Sequence, residues 1–252
     1  MSLTTSQIKF LSNLGQKRFR NEHSLFTVEG VKMVDEALNQ SKIKVDSIYA
    51  TSNWIGKNGF LMNDPSLKIT EIKEKELSRI SNLKNPNQVF CVCKQPEQKL
   101  GKDLVINDLS LYLDRIKDPG NFGTILRVAD WFGIKKVIFS PETVEVFNPK
   151  VVQSTMGAIF RVDILEMSFD ELFKSHKDLN YYAAVMNGVD IFKTKKEKNA
   201  VIVIGNESHG VSDDILNLVE NKVSIPAPKS GGSESLNAAV ATGIICSVFR
   251  NL

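Results

Sequence analysis

The sequence predicts an α/β protein in two parts, a small α/β domain followed by a larger one built on a mostly parallel sheet. Three observations carry this reading. Strand-like and helix-like segments alternate along most of the chain. A polar stretch near residue 100, KQPEQKLGKD (Lys94 to Asp103), breaks the apolar periodicity with Pro96 and Gly101 and reads as a linker. Beyond it the strands are apolar on both faces, as strands buried beneath helices on either side must be. The boundaries drawn are 1–96 for the first domain, 97–103 for the linker and 104–252 for the second domain.

Taken in order, Ile8 to Leu14 has the spacing of a short helix. SLFTVEG (Ser24 to Gly30) is a strand that breaks at glycine into a helix over Val31 to Leu38. VDSIYAT and LKITEI are strands, and a helix from Glu74 to Leu83 cannot continue through Pro86. QVFCVCK (Gln88 to Lys94) closes the first domain. In the second, LSLYLDRI, KKVIFS, FRVDILE, YYAAVM and AVIVIGN are strands, with helices near Phe122 to Phe132, Lys150 to Gly157 and Phe169 to His176. A helix over Ser212 to Val219 leads to a sixth strand, KVSIP, which Pro226 and Pro228 stop. The apolar run from Ser235 to Val248 suits a buried last helix, with Ser233 or Ser235 as its cap.

Composition narrows the function classes. The apolar and charged fractions, 42% and 24%, are those of an ordinary globular protein. No apolar run reaches the roughly 18 residues of a membrane span, and the N-terminus lacks the pattern of a secretory signal, so the expected compartment is the cytoplasm. Cys91, Cys93 and Cys246 read as small core residues, and the three histidines stand singly, which gives metal catalysis little support. Charge is uneven: residues 1 to 100 carry 15 Lys and Arg against 10 Asp and Glu, whereas the remainder has 17 against 19. Within the basic part, QKRFRNEH sets Lys17, Arg18 and Arg20 around Phe19, a combination suited to gripping phosphates and stacking a base. A solvated basic turn explains the same letters equally well.

In a parallel sheet, ligands gather at the carboxyl ends of the strands. Three loops leave such ends: DPGNFGTILR (Asp118 to Arg127), IGNESHG (Ile204 to Gly210) and the segment from Ile225 to Asn237. None has the glycine and lysine spacing of a phosphate loop, no GxGxxG follows a strand, and no GxSxG is present. What remains is a ligand site with one arginine, one carboxylate and several small amides and hydroxyls. Asn121 and Ser235 are also residue types that begin helices for purely structural reasons, and Arg127 with Glu207 could form a structural ion pair.

The three loops together resemble the SpoU (TrmH-like) branch of the SPOUT methyltransferases. Asn121, Gly123 and Arg127 match its N-x-G-x-x-x-R motif, Gly205, Asn206, Glu207 and Gly210 its G-N-E-x-x-G motif, and Ile225, Pro226, Ser235, Leu236 and Asn237 its I-P…S-L-N motif. The first domain, with RFRNEHSLFTVEGVKMVDEAL, resembles the L30e-like substrate-binding domain of rRNA-modifying members. The resemblance implies a C-terminal segment threaded into a deep trefoil knot, dimerisation through the C-terminal domain, S-adenosylmethionine as methyl donor and an RNA ribose 2′-hydroxyl as acceptor. It implies backbone groups near Gly205, Ile225 and Leu236 as holders of the donor, and Arg127, Asn121, Glu207, Ser235 and Asn237 as the catalytic set, with Arg127 also touching RNA. One departure is the insertion-like PAPKSGGSE between Ile225 and Ser235, longer than the family's usual loop. The expected substrate is 23S rRNA, with tRNA, or RNA binding without catalysis, as the alternatives.

Overall fold

The computed structural model describes residues 2–96, 106–227 and 234–250. The expected linker, 97–103, lies outside the described residues, as does the middle of the loop between Ile225 and Ser235. The chain divides into two compact units, Met1–Glu97 with Glu145–Phe160, and Gln98–Val144 with Arg161–Leu252. The second unit is therefore interrupted, since residues 145–160 lie within the expected second domain yet pack with the first unit.

In the first unit, α1 (Thr5–Asn13) opens on a capping box in which Thr4 and Gln7 each satisfy the other's backbone N–H. After α2 (Lys17–His23) come β1 (Leu25–Glu29), α3 (Val31–Leu38), β2 (Val45–Ala50), α4 (Ser52–Lys57), β3 (Ile69–Glu71), α5 (Glu74–Ile80) and β4 (Val89–Lys94). The strands lie in the order β1-β4-β2-β3, with β4 antiparallel to both neighbours and β3 parallel to β2. Phe26, Trp54 and Phe90 are fully buried around this sheet.

The stretch read as a basic turn is the helix α2, and it faces inward at one point. Arg20 is 1% exposed; its Nη1 donates to the Leu14 carbonyl at 2.9 Å and its Nε to Glu145 Oε1 at 3.0 Å, and Nη2 completes a bidentate pair with the same carboxylate. The expectation that Arg20 grips RNA is thereby corrected: at 1% exposure, and paired with Glu145, the guanidinium offers no surface to a phosphate. Lys17 and Arg18 are exposed, and Phe19 packs edge-on against Phe10 and beside His23.

The second unit contains β5 (Ser110–Leu113), α6 (Pro119–Trp131), β6 (Lys136–Phe139), β7 (Asp163–Glu166), α8 (Phe169–Ser175), β8 (Asn180–Asp190), β9 (Ala200–Ile204), α9 (Asp213–Leu216), β10 (Asn221–Ser224) and α10 (Ala238–Arg250); α7 (Pro149–Ser154) belongs to the first unit. The six strands are all parallel, in the order β10-β8-β9-β5-β6-β7. Every residue of β5 and β9 is buried, which is why β9 reads as an unbroken apolar run and β5 as one broken only by Ser110. From β10 at one edge of the sheet the chain returns to lay α10 against α6. Arg250 pins the far end of α10 by a bidentate pair with Asp108 at 2.9 and 3.1 Å and by donation to the Phe132 carbonyl.

The strand β8 is longer than its partners because it serves both of them at different points. It pairs with β9 over its first residues and with β10 again at Val189 and Asp190, after a register shift. Between the two, β10 runs so close that a Cβ on Gly188 would stand 2.6 Å from the Val223 carbonyl carbon, a separation no side chain tolerates.

Candidate functional site

All of the site lies in the second unit, at the carboxyl edge of its sheet, where a parallel arrangement leaves strand-end main chain to face a ligand. Asp118 follows β5 and caps α6, its Oδ1 accepting from the Asn121 N–H at 2.8 Å, and Pro119 takes the first helical position, where its missing N–H costs nothing. The cap turns the Asn121 side chain toward the loop that follows β9.

That loop is tied into a small closed turn. Asn206 and Gly210 exchange both backbone hydrogen bonds at 2.9 Å, and Asn206 Oδ1 accepts from the N–H groups of Ser208 and His209. The amide of Asn206 donates to the Arg115 carbonyl at 2.7 Å, which binds the turn to the neighbouring loop. Closure leaves no room at Gly205: a Cβ there would lie 2.1 Å from the Gly210 carbonyl carbon. The turn presents Glu207, whose carboxylate accepts from the backbone N–H of Lys117 (3.3 Å) and Asp118 (3.2 Å) and from the Asn121 amide (2.9 Å). Partial burial disfavours the ionised form of Glu207, but the donors led by Asn121 outweigh it and hold the carboxyl below its ordinary range.

The relay continues. Asn237 donates from Nδ2 to Asn121 Oδ1 at 2.8 Å, while its own Oδ1 accepts from the N–H groups of Ala239 (2.9 Å) and Val240 (3.3 Å). Asn237, rather than Ser233 or Ser235, therefore caps α10, and that helix starts at Ala238 rather than at Ser235. Ser235 is exposed just ahead of it, and Ser233 lies outside the described residues. Glu207, Asn121 and Asn237, drawn from the loop after β9, the first turn of α6 and the entry to α10, form one hydrogen-bonded chain.

Arg127 stands apart from this chain. It is exposed on α6, and among the described residues no hydrogen bond or ion pair holds it. Six residues of helix carry it about 9 Å along the axis from Asn121 and onto another face. The Arg127–Glu207 ion pair that the residue types allow is not formed; Glu207 is satisfied by amides instead. With Thr124 and Trp131, three before and four after it, Arg127 makes an exposed stripe in which the Trp131 ring is 84% exposed.

Gly205, Ile225 and Leu236 are the residues expected to hold S-adenosylmethionine. It asks for apolar contact with its adenine, main-chain donors and acceptors along the rest, and no metal. Gly205 offers bare main chain, Ile225 is half-buried directly after β10, and Leu236 leaves an apolar side chain 49% exposed amid polar neighbours. Among the described residues no group of three or more His, Cys, Asp or Glu could hold a metal ion.

Two members of the site escape a motif reading. Asp114 is buried at the end of β5, accepts from the Ser212 N–H at 2.8 Å and pairs with Arg115 Nε at 3.2 Å, so it ties β5 to the segment that leaves the Glu207 turn. A carboxylate placed one residue beyond an apolar strand was the available signal. Asp118 shows as an N-cap only once the helix start is known.

A protein-family model for the SpoU rRNA methylase family matches residues 108–247, and one for the MRM3-like substrate binding domain matches residues 5–91. Among solved structures, a TrmH-family protein from Porphyromonas gingivalis is 32% identical with a TM-score of 0.86, over 99% of this chain and 98% of that one. An AdoMet-bound rRNA methyltransferase from Sinorhizobium meliloti is 28% identical with a TM-score of 0.89, over 100% and 97%. The 23S rRNA (guanosine(2553)-2′-O)-methyltransferase of Bacillus subtilis is 28% identical over 248 residues, which cover 97% of this chain and 96% of that one.

Proposed function

Because this chain belongs to the SpoU rRNA methylase family and is an S-adenosylmethionine-dependent RNA ribose 2′-O-methyltransferase acting on rRNA or tRNA, we propose that its substrate is 23S rRNA. Its parallel sheet is of the SPOUT knot type, preceded by a smaller α/β domain. The observation that carries the choice of rRNA is that the similarity to a 23S rRNA enzyme runs through both units, including the basic first one, and not through the methylase part alone. Lys17 and Arg18, exposed on α2, supply phosphate contacts there. No helix of the described residues is long and apolar enough to cross a membrane, and we place the enzyme in the cytoplasm with the ribosome's RNA.

When bound, S-adenosylmethionine supplies a methyl group on a sulfonium, a centre already primed for in-line displacement. The main chain at Gly205, Ile225 and Leu236 would hold it. Glu207, Asn121 and Asn237 lock the three loops in register, and Ser235 lies beside them to bind the ribose. Arg127 binds an RNA phosphate and the oxyanion that develops at the 2′-oxygen, and the proton leaves to a phosphate oxygen or water, because a guanidinium stays protonated and makes a poor base. Two copies pair through the C-terminal domain in this reading, which the exposed stripe of Thr124, Arg127 and Trp131 on α6 and the exposed Leu236 and Val240 support as uncovered surface.

Incubation of the protein with labelled methyl donor and either 23S rRNA or tRNA transcripts, followed by nucleoside analysis, tests the substrate. A 2′-O-methyl nucleoside in 23S rRNA alone is expected; label confined to tRNA overturns the choice.

A further inference from the structure

Beside the cofactor edge, β8 runs on into the turn DIFKTKKEK, Asp190 to Lys198, which none of the three family motifs includes. This turn is firmly tied down. The Ile191 N–H donates to the Ser224 carbonyl at 3.0 Å, one residue before Ile225, and the Ile191 side chain is fully buried. Asp190 Oδ1 accepts from the Phe192 N–H at 2.9 Å, Thr194 Oγ1 donates to the Asp190 carbonyl at 2.9 Å, and the Tyr182 hydroxyl donates to the Lys195 carbonyl at 3.0 Å. A turn so anchored could have tucked its next apolar residue away beside Ile191; instead Phe192 is 58% exposed, with Met186 and Val189 exposed behind it.

The surroundings of this ring are basic. Residues 190–198 hold four lysines against two carboxylates. Lys193 and Lys195 are 82% and 88% exposed, and their carboxylate partners, Asp190 at 3.8 Å and Glu197 at 2.8 Å, form the kind of exposed pair that gives way readily to a phosphate. An outward aromatic ring on an anchored turn, flanked by exposed cations, is the combination that binds single-stranded nucleic acid, the ring taking a base face and the cations the backbone.

We propose that the turn Asp190–Lys198 is an RNA-contact element of the catalytic unit, in which Phe192 stacks on an unpaired base and Lys193 and Lys195 hold the phosphates on either side of it. The inference rests on RNA being the substrate, and it adds where beside the methyl donor the strand is held. Because Ile191 is bonded to the residue preceding Ile225, a base stacked on Phe192 sits next to the donor's edge of the sheet. Stacking requires that base to be unpaired, so the target nucleotide or its neighbour must be out of a helix when methylated.

The test uses the full chain and a fluorescein-labelled single-stranded oligoribonucleotide of twelve adenosines, titrated at low salt, with calorimetry of S-adenosylmethionine in parallel. Wild type is expected to bind the oligonucleotide, Phe192→Ala to weaken it roughly 5- to 100-fold, and Phe192→Tyr to restore it, in line with the usual worth of base–aromatic stacking. Lys193→Ala with Lys195→Ala should lower the slope of log affinity against log salt by about 1 to 2. The donor's affinity should stay the same in every variant. Absence of oligonucleotide binding by wild type, or equal binding by Phe192→Ala, overturns the proposal. So does a shift of Phe192→Ala to monomer in sedimentation, since the ring would then be a contact between copies. Loss of donor binding by wild type is a separate result, which strikes the enzymatic reading and not the turn.

Discussion

Asn121 and Asn237, 116 positions apart in the chain, meet through a 2.8 Å hydrogen bond from Asn237 Nδ2 to the side-chain Oδ1 of Asn121. Since Asn121 also donates to Glu207, this one contact couples the head of α6 to the entry of α10 and to the turn after β9. Both asparagines are caps or near caps, yet each spends its second polar group on the other, which a cap alone does not require.

Removal of Asn121 should therefore act at the site more than on the fold. Asn121→Ala leaves the Glu207 carboxylate one donor short and frees Asn237, and a hydrogen bond to a charged group is worth about 1.5–3 kcal/mol. The expected fall in kcat/KM is roughly 10- to 100-fold, read as methyl transfer to rRNA, with the larger part in kcat.

Arg127→Ala should separate activity from stability. The side chain is exposed and unpartnered among the described residues, so the urea midpoint should move by no more than about 0.5 kcal/mol equivalent. Methyl transfer should fall by about 100- to 1,000-fold, the usual cost of losing a donor aimed at developing negative charge. Arg127→Lys should keep a measurable part of that rate, because it keeps the charge.

Arg20→Ala should do the reverse. It leaves the buried Leu14 carbonyl and the part-buried Glu145 carboxylate without their donors, and losing a hydrogen bond to a charged group costs about 1.5–3 kcal/mol. Trp54, buried in that unit, makes the loss visible as fluorescence unfolding at lower denaturant. Lys17→Ala with Arg18→Ala should leave that transition in place while flattening the salt dependence of rRNA binding.

Glu207 sets a pH signature. Its folded carboxyl lies below the ordinary value of 4.5, so the stabilisation it brings is present above that value and is lost as pH falls through the folded one. Glu207→Gln should thus be less stable than wild type at pH 7, and the gap between the two should close progressively below about pH 4.5. A gap independent of pH would show that the carboxylate's charge is not what the donors recognise.

Gly205→Ala should damage donor binding through packing. Its new methyl has nowhere to go beside Gly210, and overpacking of this kind costs about 1–3 kcal/mol. Calorimetry with S-adenosylmethionine should show weakened binding even where the fold survives.

The sequence by itself determined the alternation of strands and helices, the parallel sheet of the second part and the family its three loop motifs resemble. Strand burial is written in short-range patterns: AVIVI reads as a strand enclosed on both faces. Contacts between distant residues are not written that way. Only the tertiary structure showed that Arg20 turns inward to Glu145, that residues 145–160 join the first unit, that Glu207 is held by amides instead of Arg127, and that Asn237 caps the last helix. A basic or acidic letter has the same local propensity whether it faces water or a buried partner. Which of the two it meets is settled by the packing of segments a hundred residues apart, and burial then makes the partner obligatory.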